Sequence, residues 1–175
     1  MPSVDLSRVP SFYHKYISLV TEPDLPKAFI NHQKQLITEL EEIPEEIWDY
    51  RYAEGKWSIR DLVQHVIDAE RIFCYRALRF ARKDKTELPG FDEELFAATA
   101  EADRRSKADL LEELGTVQRS SAALFRSFSE EQLDQTGTAN GSAIYVAAIG
   151  FIIVGHPRHH LNVLKERYLK KKPSA

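Results

Sequence analysis

Four segments of this 175-residue chain place apolar residues at every third or fourth position, and no stretch alternates β-branched and polar residues for long enough to argue a sheet. Helices striped in this way must bury their apolar faces against one another, so the economical fold is all-α, a four-helix bundle. The first stripe, Phe29, Ile30, Gln33, Leu36, Ile37 and Leu40, predicts a helix over 25–42, with Asp24 as cap and Pro26 tolerated in the first turn. The second begins after KWSIRDL, where Ser58 and Asp61 have capping-box spacing. Its face carries Leu62, Val66, Ala69, Phe73, Ala77 and Phe80, and it ends near Arg82.

The pattern then lapses over 83–105. An LPGF turn and a short helix within FDEELFAATAEA form a long connection between helices two and three, placed to cover one end of the bundle. A third helix starts near Ser106, with Asp109 three residues on, and carries Leu110, Leu111, Leu114, Val117, Leu124 and Phe128. SEEQLDQTGTANGS turns the chain into a fourth helix over 143–168, where Tyr145, Ile149, Ile152, His156, His160, Val163 and Arg167 share one stripe. The expected organisation is one domain over 1–175: an entry segment 1–23, the bundle 24–170 and a short basic tail 171–175.

Composition narrows the partners. A formal charge of −3, with bases and acids interspersed, gives no electrostatic reason to bind nucleic acid. Cys74 is the single cysteine, so no intrachain disulfide can form, and cytoplasm is the default expectation. The longest apolar run, 143–155, is too short to span a bilayer, and the N-terminus lacks an apolar signal core, so neither membrane insertion nor secretion is expected.

Histidine placement carries the chemistry. His156 and His160 lie four apart on the apolar stripe, so their imidazoles stack one above the other and can reach one cation. Buried ring nitrogens need partners, and a metal supplies one for each ring. His65, at the inward edge of the second helix, is the third candidate, and three nitrogens with an open position make a catalytic rather than a closed site. The alternative is that His65 bonds a carbonyl at the core edge and His156 lines a kink at Pro157. His159, about 100° round from His160, is expected to face solvent. His14 and His32 have no spacing partner, and Cys74 reads as core packing. Asp61 and Asp68 flank His65 by four and three residues, which suits either an imidazole-orienting role or a plain surface charge. No phosphate loop, nucleophile elbow or compelling general base is present in the sequence.

WSIRDLVQHVIDAERIFCYRALRFAR (57–82), LPGFDEE (88–94), GHPRHHLNVLKERYL (155–169) and the entry segment PSFYHKYISLV together resemble the DinB/YfiT-like family over most of the chain. The resemblance implies a four-helix bundle, often a homodimer. It also implies a divalent metal held by a histidine on helix two and an H-x-x-x-H pair on helix four, which fall here on His65, His156 and His160. The family includes S-transferases and isomerases that use low-molecular-weight thiols such as bacillithiol or mycothiol, and metal-dependent hydrolases. This chain departs from the family at Pro157, which follows the first histidine of the pair and deprives the Ile153 carbonyl of its helical donor. The leading expectation is a thiol-dependent S-transferase acting on a small molecule with zinc or nickel. A hydrolase with metal-activated water and a non-catalytic metal-binding stress domain are the alternatives.

Overall fold

The first three expected helices begin at their predicted caps, and the fourth begins three residues later than its stripe suggests. The computed structural model describes residues 4–170, so the basic tail over 171–175 lies outside the described residues. After a short 3₁₀ turn come α1 (Ser11–Ile17), α2 (Leu25–Glu41), α3 (Ile59–Ala81), α4 (Glu93–Thr99), α5 (Lys107–Arg126), α6 (Glu130–Leu133), a hairpin of β1 (Thr136–Ala139) and β2 (Ser142–Tyr145), and α7 (Val146–Val163). Helices α2, α3, α5 and α7 are the bundle. Among the described residues no helix is long and apolar enough to cross a membrane.

The caps behave as their chemistry requires. Asp24 accepts from the Lys27 N–H, Ser106 from Asp109, and Ser58 with Asp61 closes a full capping box at the head of α3. The connection after α3 contains α4, which packs on α3. The entry segment contains α1, a helix the stripes did not reveal.

Two expectations are corrected. Residues 143–145, expected at the start of the fourth helix, belong instead to β2, paired antiparallel with β1 in the register Thr136↔Tyr145 to Ala139↔Ser142. Asn140 and Gly141 at the tip both have positive φ, 50° and 69°, the conformation a two-residue hairpin requires. Leu88 extends the ladder, its N–H donating to Thr138 and its carbonyl accepting from Asn140, both at 2.9 Å. The hairpin lies against the end of α3, close enough that a Cβ on Gly137 would meet the Phe80 ring at 2.0 Å. Pro157, expected to disturb the fourth helix, is buried within α7, which continues to Val163 before widening into a π-helical segment, Leu164–Leu169.

A polar layer crosses the bundle between two apolar clusters. One cluster gathers Ala69, Phe73, Phe125, Ile149 and Ile152; the other gathers Leu40, Ile67, Leu110, Leu114 and Leu164. Between them lie buried His32, Glu70, Gln118, Ser121 and His156. Gln118 Nε2 sits 3.1 Å from His32 Nε2, and Ser121 Oγ sits 2.6 Å from Glu70 Oε1.

Candidate metal centre

Helices α3 and α7 bring together three histidines separated by up to 95 positions. His65 projects from α3, and His156 and His160 project from successive turns of α7. Nε2 of His156 lies 3.1 Å from Nε2 of His65 and 2.9 Å from Nε2 of His160, and the ligand atoms of all three fall within 4.8 Å of one another. Donors bound at roughly 2.0–2.1 Å are separated by about 2.9 Å at octahedral angles and about 3.4 Å at tetrahedral ones, so the spacing fits one small cation.

Proton counting gives the same answer. A neutral imidazole nitrogen either donates or accepts, and His156 Nε2 faces two neighbours at once. If it carries a hydrogen, that hydrogen serves only one of them; if it is bare, two donors compete for one lone pair. Protonating the rings does not resolve this. Burial, reinforced at His156 and His160 by neighbouring rings, holds both well below the ordinary imidazole range, and burial alone lowers His65 to about 4. A cation would take all three lone pairs together.

The surroundings fix the rings. The Trp57 indole packs on His65 with centroids 4.8 Å apart, and the Tyr16 ring meets His156 edge-on at 5.2 Å. Tyr16 belongs to α1, whose backbone approaches α7 so closely that a Cβ on Gly155 would sit 2.0 Å from the Tyr16 carbonyl oxygen. Arg158 anchors the chain just after α1 with a two-pronged pair to Glu22 at 2.9 and 2.7 Å and a bond to the Leu19 carbonyl. That guanidinium lowers Glu22 to about 2.

His159 corrects its expectation: it is half-buried, its ring 5.3 Å from Tyr16. Asp61 is spent on the α3 cap and on Arg51, and Asp68 accepts from Gln64. His14 bonds the Val9 carbonyl, and His32 lies in the polar layer. Cys74 is packed as expected, its thiol 3.1 Å from Ser121 Oγ and pushed up to about 12 by burial.

His65 and His156 are buried, whereas His160 also lines a cavity of about 210 Å³ walled by Tyr52, Trp57, Leu62, Val163 and Tyr168, with Lys56 and Glu94 at its polar edge. Gly55, Lys56, Trp57 and Glu94 also line a neighbouring cleft of about 460 Å³ under α4 and the loop before α3. Sequence reasoning missed Glu94. It reaches the cavity only because the long connection folds back, and no local spacing announces that.

Residues 28–164 match the family model of the DinB superfamily. A protein of Oceanobacillus iheyensis named "putative metal-dependent hydrolase" is 32% identical over 117 residues, 65% of this chain; the chain covers 66% of that relative, just under two thirds of its length. Two structures from Bacillus subtilis share the fold. One is YfiT, described as a probable metal-dependent hydrolase with an unusual four-helix bundle topology (TM-score 0.71, 18% identity, 83% of this chain and 85% of that one). The other is the DinB-like protein YjoA (TM-score 0.60, 20% identity, 86% and 94%).

Proposed function

The chain belongs to the DinB superfamily, and on that footing we propose that it is a metal-dependent enzyme in which His65, His156 and His160 hold one divalent cation, zinc or nickel, and present it to the cavity beside His160. The convergence of three neutral imidazole nitrogens at 2.9–3.1 Å carries this reading. When bound, the cation supplies Lewis acidity and lowers the pKa of a nucleophile. The chain's own residues do the rest: α3 and α7 aim the rings, Trp57 and Tyr16 pack against them, and Tyr52, Trp57 and Tyr168 give the cavity beside His160 an aromatic wall on which a substrate can bind.

The favoured reaction is hydrolysis of a small molecule. The relative's name supports it, and so does a carboxylate, Glu94, at the edge of the cavity. Thiol-dependent S-transfer, the reading the sequence favoured, stands second and uses the same site. Its sulfur has to come from a low-molecular-weight thiol, because Cys74, the only cysteine, is hydrogen-bonded inside the bundle and held as the thiol. A reducing cytoplasm and a homodimer accompany these readings as further proposals, the second open to light scattering.

The test is metal analysis of the purified protein beside His65→Ala, His156→Ala and His160→Ala, followed by a panel of activated esters with and without thiols. Each variant should lose more metal affinity than the roughly 10–100-fold that follows loss of an outer-shell partner, because a direct ligand is removed. Stoichiometric metal retained in all three would refute the ligand set, and turnover only with a thiol present would replace hydrolysis by transfer.

A further inference from the structure

The metal reading leaves open which group receives the nucleophile's proton. The histidines cannot, since each would spend its lone pair on the cation. Among the described residues lining the cavity beside His160, Glu94 is the one carboxylate. Its placement is specific. Glu94 Oε2 accepts a 3.0 Å hydrogen bond from Trp57 Nε1, and the same indole packs on His65 with centroids 4.8 Å apart. One rigid ring therefore ties a ligand on α3 to a carboxylate on α4. α4 is itself held at its head by Asp92, which accepts from the Leu95 N–H. The indole engages one carboxylate oxygen and a carboxylate has two.

We propose that Glu94 is the proton acceptor of the site and that Trp57 is its positioning residue. This rests on the three-histidine reading, and it holds for hydrolysis and thiol transfer alike. Glu94 takes the proton of the incoming O–H or S–H as the new bond to the electrophilic carbon forms. The bond to the leaving group then breaks, and the same proton passes to the leaving group, so charge and atoms balance. The acceptor lies on α4 and not in the bundle, so the base and the metal ligands come from parts of the chain that fold against each other only in the finished structure.

The experiment loads wild-type protein, Glu94→Gln and Trp57→Phe with Co²⁺, measures the metal bound per chain, and follows the visible spectrum from pH 5 to 9. Glu94→Gln should bind one Co²⁺ as wild type does, with its pH transition displaced downward by about half a unit, because a carboxylate charge lining the same cavity as His160 has been removed. Trp57→Phe keeps a ring on His65 but removes the N–H, and its transition should move toward that of Glu94→Gln at unchanged metal content. A Glu94→Gln curve superimposable on wild type at full cobalt occupancy would overturn the proposal and leave the metal reading intact. Failure of wild type to bind cobalt would overturn both. A Trp57→Phe curve identical to wild type, with Glu94→Gln shifted, would overturn the positioning role.

Discussion

Replacing Glu70 by Gln should stabilise the protein at pH 8. Glu70 is 2% exposed, its Oε2 has no partner, and burial raises it from 4.5 to about 7. Hydrogen counting explains why the neutral acid suits the site. Ser121 Oγ lies 2.6 Å from Glu70 Oε1, 2.9 Å from the Val117 carbonyl and 3.1 Å from Cys74 Sγ, yet its single hydrogen can serve only one of them. With Glu70 protonated, the acid and the thiol both donate to Ser121 Oγ, and Ser121 donates to Val117. Ionisation breaks this chain and strands a buried charge. A carboxyl raised by folding costs nothing below its unfolded pKa, costs more as pH climbs through 4.5 to 7, and costs a constant amount above. At roughly 1.4 kcal/mol per pH unit the full cost is about 3 kcal/mol. Gln keeps the shape and an N–H donor toward Ser121 without the charge. Urea unfolding in EDTA at pH 4.5, 6, 7 and 8 should therefore show matched stabilities at the lowest pH and a gap widening toward about 3 kcal/mol in favour of Glu70→Gln. A variant less stable than wild type at pH 8, or a difference that ignores pH, would refute the reasoning.

Two further outcomes follow from the centre. Gly155→Ala should destabilise by at least about 3 kcal/mol in urea and weaken metal binding, because the added methyl meets the Tyr16 carbonyl at 2.0 Å and backbone cannot swing aside. Metal-free protein should lose thermal stability as pH falls below 6.5. His65, His156 and His160 are all depressed by folding, so the unfolded chain takes up protons first, and bound metal should be released over the same window. A melting temperature flat between pH 7 and 5 in EDTA would contradict this.

What the sequence reveals depends on whether the signal is local. Caps and stripes are local: Asp24, Ser58 with Asp61, and Ser106 place α2, α3 and α5 to within a residue or two. The i, i+4 pair His156 and His160 is local too, and the inward side of α3 is enough to nominate His65. The hairpin leaves little trace in the sequence because four-residue strands are too short to show alternation, although Asn140-Gly141 is the strongest two-residue turn signal in the chain. Tyr145 fits a helical stripe by spacing, but it lies in a strand, where its hydroxyl accepts from the Asp5 N–H. Glu94, Glu70 and the pairing of His32 with Gln118 depend on contacts 37 to 86 residues apart, which spacing cannot disclose.

The polar layer bears on how helices choose their axial register. Apolar stripes alone let one helix slide past another by a turn, about 5.4 Å, with leucines meeting leucines again. Here such a slip parts His32 from Gln118 and Glu70 from Ser121, leaving each stranded in hydrocarbon. The layer thus works as a vernier for the bundle. Contacts that touch no metal fix the height of α3 against α5 and of α5 against α2, and α2 and α3 both pack on α7. The same contacts set the height at which His65 of α3 faces His156 of α7, two imidazoles 91 residues apart in the chain.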